Sequence, residues 1–179
     1  MSTTSDIMLK ICMMGEGSVG KSSLIRKFVF DDFDDSYITT IGTKITKKEI
    51  VIQHPKDTTE VNVTLLIWDL MGQKGFRNLL RDAYFFGAQG LIAVTDITNQ
   101  DSLDEIAEWV DSAYGITGKV PVMFLANKHD LIDNAIFNLD KLKETISGFR
   151  MGMTCYSSAK TGENVELTFN KLCGEILKR

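Results

Sequence analysis

The sequence has little of what marks several common protein classes. Proline occurs only twice in 179 residues and no Ser/Gly-rich tract is present, which argues against a long disordered segment. The longest purely apolar runs, such as residues 122–126, fall far short of the roughly 20 residues that a membrane span needs. Basic residues are not in excess, since 20 Lys and Arg face 24 Asp and Glu for a net charge of −4. A general nucleic-acid binder normally carries a basic excess, so nucleic acid is not an expected partner.

Cysteine and histidine are also scarce. The three cysteines, Cys12, Cys155 and Cys173, form no CxxC pair, which predicts reduced thiols packed as small hydrophobic side chains in a cytosolic protein. The two histidines are too few and too far apart for a metal site without other signals. The first residues lack the basic leader and cleavage site of a signal peptide. The expected location is the cytoplasm, and association with the periphery of a membrane is left open.

The composition and the patterning indicate one α/β domain spanning residues 1–179. Hydrophobic residues make up 44% of the chain, enough for a core without disulfide or metal staples. Apolar runs alternate with helical patterns, which predicts βαβ crossovers and a mainly parallel sheet with helices on both faces. The turn-prone segment 54–60 predicts an antiparallel hairpin between its neighbouring strands. Predicted strands cover 7–14, 44–53, 61–68, 90–95, 120–126 and 153–157, and the main predicted helices cover 24–30, 102–114, 139–149 and 163–177.

Residues 15–22, GEGSVGKS, fit the phosphate-loop pattern GxxxxGK[ST] between a predicted strand and a predicted helix. The glycines let the backbone curl so that N–H groups point at phosphate oxygens, and the helix N-terminus adds its positive dipole end. Lys21 is expected to reach the β- and γ-phosphates and the Ser22 hydroxyl to bind Mg²⁺. The alternative is a glycine turn that joins a strand to a helix, and the motif does not choose ATP over GTP. The candidate nucleotide-binding residues here are Gly15, Gly17, Ser18, Val19, Gly20, Lys21, Ser22 and Ser23.

A second motif, NKHD at residues 127–130, follows a predicted strand and points to guanine. The Asp130 carboxylate can accept hydrogen bonds from N1–H and the exocyclic amine of guanine, whereas adenine offers no such donor pair. Asn127 is expected to brace the loop and touch the purine edge, and the aliphatic stem of Lys128 to cover one face of the base. The alternative is a solvated turn. His129 fills the unspecified position and is assigned no role.

Two further segments extend the candidate site. Ser158, Ala159 and Lys160 follow the last predicted strand, where a backbone N–H near Ala159 could donate to guanine O6 and Lys160 could lie over the base. Within WDLMGQ, residues 68–73, one acidic residue could hold Mg²⁺ through water, one glycine N–H could reach the γ-phosphate, and one glutamine could orient the attacking water. These three are Asp69, Gly72 and Gln73. Thr40, in TTIG, is the expected second hydroxyl ligand. The sequence therefore predicts Lys21, Gly72 and Gln73 as catalytic residues and Ser22, Thr40 and Asp69 as metal ligands.

These five ordered motifs, GEGSVGKS, TTIG, WDLMGQ, NKHD and SAK, make residues 8–178 resemble the Ras-superfamily small GTPases, most closely the Rab branch. The resemblance implies a P-loop GTPase fold (G domain), with a six-stranded, mostly parallel sheet and one antiparallel edge strand. It implies GTP/GDP cycling with Mg²⁺, and effector, exchange-factor and GTPase-activating partners at two switch loops in membrane trafficking or signalling. It also implies Phe33 at the guanine edge, Tyr37 near the γ-phosphate, and crowding of the hydrolytic geometry by any side chain at Gly17. The exposed apolar candidates for a partner surface are Ile41, Trp68 and Phe76, with a core position as the alternative for Trp68.

Some residues depart from the family pattern. Leu70 and Met71 replace the usual Thr-Ala beside Gln73, so a catalytically impaired GTP-binding scaffold is an alternative function. A P-loop kinase or ATPase is a second alternative, against which NKHD argues. Residues 31–40 contain no Arg or Lys, which predicts slow intrinsic hydrolysis of about 10⁻⁴–10⁻³ s⁻¹ by analogy with Ras, accelerated only by a partner. The terminal EILKR shows no lipidation motif. Either the protein is unlipidated or a lipidated tail lies beyond these residues.

Overall fold

A computed structural model describes residues 5–34, 42–57, 59–72, 81–150 and 152–179. The predictions for Tyr37, Thr40, Ile41, Gln73 and Phe76 lie outside these ranges. The described strands are β1 (Ser5–Met14), β2 (Thr43–Gln53), β3 (Glu60–Leu70), β4 (Gly90–Asp96), β5 (Val122–Asn127) and β6 (Gly152–Tyr156). The described helices are α1 (Lys21–Phe30), α2 (Arg81–Phe85), α3 (Gln100–Asp104), α4 (Ile106–Thr117), α5 (Leu139–Thr145) and α6 (Val165–Leu177), with a 3-10 helix at His129–Asn134.

The strands form one six-stranded sheet in the order β2-β3-β1-β4-β5-β6. β2 runs antiparallel to β3, with Ile45 opposite Trp68, and every other neighbouring pair is parallel. This arrangement confirms the predicted α/β class, the hairpin and the single antiparallel edge strand. The long connections between parallel strands carry the helices, as βαβ crossovers require.

Alternate side chains of β1 enter two separate cores, one on each face of the sheet. Leu9, Ile11 and Met13 pack in a cluster with buried residues of α1 and α6. Cys12 and Met14 pack in a second cluster with buried residues of α2, α3, α4 and α5. Because successive side chains of a strand point to opposite faces, helices cover both sides of the sheet.

The three cysteines are free thiols within these cores and their margins. Cys12 and Cys173 are fully buried, and Cys155 is partly buried beside the Thr168 hydroxyl. Burial raises the pKa of the Cys12 and Cys173 thiols to about 12. Both side chains therefore stay protonated at neutral pH and behave as small hydrophobes.

Several element boundaries differ from the sequence prediction, and three of the differences have a visible cause or consequence. The helix predicted at 102–114 is two helices that meet at Glu105, and Trp109 in the second of them is buried. The strand predicted at 120–126 begins at 122, because Pro121 has no N–H for the ladder and only its carbonyl contacts β4. The helix predicted at 139–149 ends at Thr145, after which short turns lead to β6.

The topology collects the polar motifs at one edge of the sheet. The carboxyl ends of β1, β4, β5 and β6 meet there, and the candidate loops follow β1, β3, β5 and β6 directly. Ligands of open α/β sheets bind at this edge. No helix within the described ranges has both the length and the apolar character needed to cross a membrane.

Candidate functional site

The loop between β1 and α1 folds back on itself and packs against β4 and β5. Gly15 has φ +135° and a Cβ there would lie 2.3 Å from the Val94 carbonyl oxygen. Gly20 has φ +99° and a Cβ would lie 2.5 Å from Asn127 Nδ2. Side chains are therefore excluded at both positions by conformation and by space. This close packing leaves Gly17 and Ser18 on the exposed side of the loop and Val19 buried beneath it.

Lys21 is the first residue of α1, and its side chain reaches back into this loop. Its Nζ donates to the carbonyl oxygens of Gly15 at 2.8 Å and Glu16 at 2.7 Å, and the residue is only 6% exposed. Burial lowers the pKa of Lys21 to about 8, while the nearby charges of Asp69 and Glu16 oppose that shift. The loop thus holds a desolvated ammonium group at the N-terminus of α1, which suits a polyanion.

Oxygen donors from α1 and β3 meet beside Lys21. Ser22 Oγ donates to Asp69 Oδ2, and Asp69 is 2% exposed. A hydroxyl and a buried carboxylate are hard oxygen ligands of the kind that Mg²⁺ prefers. The donor set therefore fits a magnesium ion. Ser23 follows on the same helix and is half-buried.

Gly72 packs directly against the phosphate loop. A Cβ at Gly72 would lie 2.5 Å from both the Glu16 carbonyl carbon and the Gly17 amide nitrogen. Among the described residues, by contrast, a Cβ at Gly17 would meet only the Gly72 carbonyl oxygen, at 3.8 Å. Leu70 is buried in the core that contains α2 and α4, and the Met71 N–H donates to the Gly42 carbonyl at 3.2 Å. The core thus accommodates the Leu70 side chain, which is larger than the threonine of the usual family pattern.

The loops after β5 and β6 are bonded to each other and to the phosphate loop. Asn127 Nδ2 donates to the Val19 carbonyl at 2.8 Å, and Ser157 Oγ donates to Asn127 Oδ1 at 3.0 Å. Ser158 Oγ donates to Asp130 Oδ1 at 2.6 Å. The NKHD and SAK segments therefore form one continuous surface with the phosphate loop, as a single nucleotide would require.

The comparison with known proteins decides the family. The family model described as "Ras family" matches residues 10–178. The chain belongs to the Ras family. It is 31% identical to the GTP-binding protein ypt1 of Schizosaccharomyces pombe, across 100% of this chain and 85% of that protein. It is 35% identical to the Ras-related protein Rab-18 of Caenorhabditis briggsae, across 95% of this chain and 81% of that protein. It is 34% identical to the Ras-related protein Rab-1 of Theileria annulata, across 93% and 73%.

The chain is thus a Rab-like small GTPase of the Ras superfamily, an enzyme that hydrolyses GTP. Proteins of this family bind GTP or GDP with Mg²⁺ and interact with regulators and effectors.

The remaining predicted residues of this Ras-family site have varied surroundings. Lys128 has φ +65° and its Nζ pairs with Asp96 Oδ2 at 2.6 Å, so a carboxylate at the end of β4 fixes this side chain. Ala159 is buried in the core with α1 and α6, whereas Lys160 is exposed. Phe33 is half-buried and packs against that same core. The roles assigned to Lys128, Lys160 and Phe33 toward a base stay predictions.

Several contacts of this Ras-family chain were not foreseen from its sequence. His129 Nδ1 lies 2.7 Å from Glu163 Oε2, and its ring stacks on Tyr156 with centroids 4.2 Å apart. Trp109 Nε1 donates to Glu16 Oε1 at 3.0 Å. The partners are 34 and 93 residues apart, so no local spacing signals them. Trp68 is half-buried, and Lys10 Nζ lies 3.7 Å from its ring centroid. Its environment is therefore intermediate between the core position and the partner surface that the sequence left open.

Proposed function

We propose that residues 1–179 form a single G domain that works as a guanine-nucleotide switch, binding GTP or GDP with Mg²⁺ and slowly hydrolysing GTP. The observation that carries this proposal is the bonding of Asn127 to Val19 and of Ser158 to Asp130. These bonds hold the guanine motif at a fixed place relative to the phosphate loop. A nucleotide that spans both segments gains affinity from preorganisation, because little loop entropy is lost on binding.

The phosphates and the base of the nucleotide would bind at opposite ends of the surface that the phosphate loop forms with the NKHD and SAK segments. Lys21 and the N–H groups of the curled loop take the β- and γ-phosphates, while Asp130 takes the paired donors of guanine. Lys128 Nζ pairs with Asp96, and this pair would hold the aliphatic stem of Lys128 against one face of the base. Lys160 and a backbone N–H near Ala159 complete the base side, with Phe33 at its edge and Tyr37 near the γ-phosphate.

The oxygen ligands of Mg²⁺ would be Ser22 and Thr40, with Asp69 acting through water. When bound, the ion supplies positive charge that neutralises the phosphate oxygens. Asp69 and Ser22 are already joined by a hydrogen bond, so the two donors need little rearrangement to face one cation. Thr40 would join them only when its loop closes over a γ-phosphate.

Hydrolysis consists of in-line attack of water on the γ-phosphate, which breaks the bond between the γ-phosphorus and the β–γ bridging oxygen, so that GDP leaves and the water's proton passes to a phosphate oxygen. Gln73 orients the water, Gly72 presents its N–H to the γ-phosphate, and Lys21 stabilises the charge that develops on the phosphate oxygens. No arginine or lysine lies in residues 31–40 to add to this stabilisation. The intrinsic rate should therefore be on the order of 10⁻⁴–10⁻³ s⁻¹, with a partner protein needed for faster turnover.

The output of the switch would be conformational. Release of phosphate frees Thr40 and Gly72, so both loops relax and partners distinguish the GTP from the GDP state. Effectors, exchange factors and GTPase-activating proteins would bind these loops. The Rab resemblance extends the proposal to membrane trafficking or signalling, by a cytoplasmic protein that associates with the periphery of a membrane. The burial of Leu70 in the core gives no support to the impaired-scaffold alternative.

Competition binding tests the nucleotide specificity. Fluorescent GDP bound to the purified protein with Mg²⁺ is displaced by GDP, GTP, ADP or ATP. We expect the guanine nucleotides to compete at least about 1,000-fold better than the adenine nucleotides, because adenine leaves the Asp130 carboxylate unpaired. Equal competition by ATP would refute the proposal and favour a P-loop kinase or ATPase.

Replacing Gly72 by Ala should slow single-turnover GTP hydrolysis by about 10²-fold, because the backbone N–H of residue 72 would no longer reach the γ-phosphate. The affinity for GDP should change little, because GDP has no γ-phosphate. The added Cβ would meet the Glu16–Gly17 backbone, which cannot move aside as a flexible side chain could. Gly115→Ala is the matched control, since a Cβ there meets nothing within 4 Å in the part of the chain that the structure describes. Hydrolysis by Gly72→Ala at the rate of the control would rule out the role of Gly72.

Nucleotide binding should take up protons near pH 8. Burial lowers the pKa of Lys21 to about 8 in the nucleotide-free protein, and an adjacent polyphosphate favours the charged form. At pH 8 about half a proton should be absorbed per GDP bound, falling to about a tenth at pH 7, and affinity should decline as pH rises above 8. Calorimetry in two buffers of different ionisation enthalpy measures this uptake. Equal enthalpies in both buffers at pH 8 would contradict it.

A further inference from the structure

The hydrogen bond between Trp109 and Glu16 joins α4 to the phosphate loop across 93 residues. Trp109 is 1% exposed, and its ring packs in the core that contains α2 and α5. Glu16 is half-buried at the second position of the loop. A buried indole N–H that loses its acceptor pays a desolvation cost, so this carboxylate stabilises the seating of the helix under the loop.

The electrostatics of the loop give the bond a second consequence. A carboxylate beside a triphosphate is repelled by it, yet Glu16 stands inside the phosphate motif. In the structure the indole holds that carboxylate toward α4, at 3.0 Å from Nε1. The charge still favours the protonated form of Lys21. Glu16 thus supports the phosphate-binding cation without facing the phosphates.

The backbone of Glu16 contacts two of the residues proposed to act in hydrolysis, Lys21 and Gly72. Its carbonyl accepts from Lys21 Nζ at 2.7 Å. The peptide between Glu16 and Gly17 is the surface against which Gly72 packs. Rotation of this peptide would displace Lys21 and Gly72 together, so the bond that fixes the Glu16 side chain also fixes their geometry.

We infer that Glu16 and Trp109 are a pair of positioning residues, in which the indole–carboxylate bond turns Glu16 away from the phosphates and sets the peptide that orients Lys21 and Gly72. This inference rests on the proposed function, because it concerns the same nucleotide site. It makes α4 a part of the nucleotide-sensing apparatus, and it gives Trp109 a role beyond filling the core.

Nucleotide release tests the pair. Protein loaded with fluorescent GDP and Mg²⁺ is chased with excess GDP. We expect Glu16→Ala and Trp109→Phe each to release GDP about tenfold faster, and the double variant to release it no more than about twofold faster than either single variant, because both changes remove one shared bond. Glu16→Gln keeps an acceptor for the indole and should stay within about threefold of the unaltered protein. Asp111→Asn, an exposed carboxylate on α4, is the charge control and should release GDP at the unaltered rate.

Fluorescence supplies a signature that a purely structural role would not produce. In a Trp68→Phe background Trp109 is the sole tryptophan, and its emission should differ between the GDP form and a form loaded with a non-hydrolysable GTP analogue. Glu16→Ala, which leaves the buried ring in place even if Trp109→Phe proves unstable, should abolish that difference.

Different results would overturn different statements. Release rates of Glu16→Ala and Trp109→Phe within twofold of the unaltered protein would overturn the inference, as would additive effects in the double variant. So would an emission difference that survives Glu16→Ala. If the unaltered protein binds no guanine nucleotide, the proposed function itself fails. Tight GDP binding together with insensitive variants leaves the proposed function intact and removes only the inference.

Discussion

Asp130→Asn should lower the affinity for GDP by about 10³-fold and raise the affinity for xanthosine diphosphate. The carboxylate accepts from the two guanine donors, whereas an amide presents a donor of its own to them and leaves polar groups unpaired. Xanthine carries a carbonyl in place of the exocyclic amine, and that carbonyl can accept from the new amide. Ser158 Oγ, which donates to Asp130 Oδ1, can donate equally to the amide oxygen, so the loop should keep its shape.

Displacement of fluorescent GDP and of a fluorescent xanthosine diphosphate measures both changes. Asp133→Asn is the matched control, because Asp133 is an exposed carboxylate in the same 3-10 helix. That variant should retain the preference of the unaltered protein. A loss of GDP affinity in both variants, or in neither, would contradict the assignment of Asp130 to the base.

Lys21→Met should lower GDP and GTP affinity by about 10²–10³-fold, because charge-assisted contacts to phosphate in a desolvated site are strong. The nucleotide-free protein should be much less affected. Removing the buried ammonium relieves a desolvation cost that is evident in its lowered pKa, while the carbonyls of Gly15 and Glu16 lose their donor. These two terms oppose each other, so the melting temperature should shift by no more than about 5 °C.

Calorimetric binding and thermal unfolding at pH 7 measure the two quantities separately. Arg26→Met is the control from the same helix, because the Arg26 and Asp32 side chains are each about half exposed, so loss of their surface ion pair should affect neither quantity strongly. Unfolding of nucleotide-free Lys21→Met well below the control would show that Lys21 is chiefly structural. Unchanged affinity would refute its contact with phosphate.

The sequence alone specified the fold class and the location of the motifs because both depend on local patterns. GEGSVGKS and NKHD are continuous, and strand and helix periodicities are read within a few residues. The partners that tune these motifs come from distant segments. Asp96 holds Lys128, and Glu163 lies against His129. Such pairs arise only once β4, β5 and β6 lie side by side, so no spacing in the sequence reveals them.

Some predictions of element boundaries were wrong for a related reason. The apolar spacing of 102–114 suits one continuous helix, yet the chain forms α3 and α4 with a junction at Glu105. Ser102 explains part of this: its hydroxyl donates to the Asn99 carbonyl at 2.7 Å and accepts from the Asp96 N–H at 2.9 Å. These bonds tie the start of α3 to the end of β4, a tertiary constraint that helical periodicity does not contain.

Single-turnover phosphate release from protein preloaded with GTP and Mg²⁺, beside an identical ATP sample, tests the central claim most directly. A guanine-specific switch predicts that GTP loads, that phosphate appears at about 10⁻⁴–10⁻³ s⁻¹, and that ATP does not load. Stable retention of GTP with no release over days would contradict the proposed hydrolysis and favour a binding scaffold. Loading and hydrolysis of ATP at a comparable rate would contradict the guanine specificity on which the whole account depends.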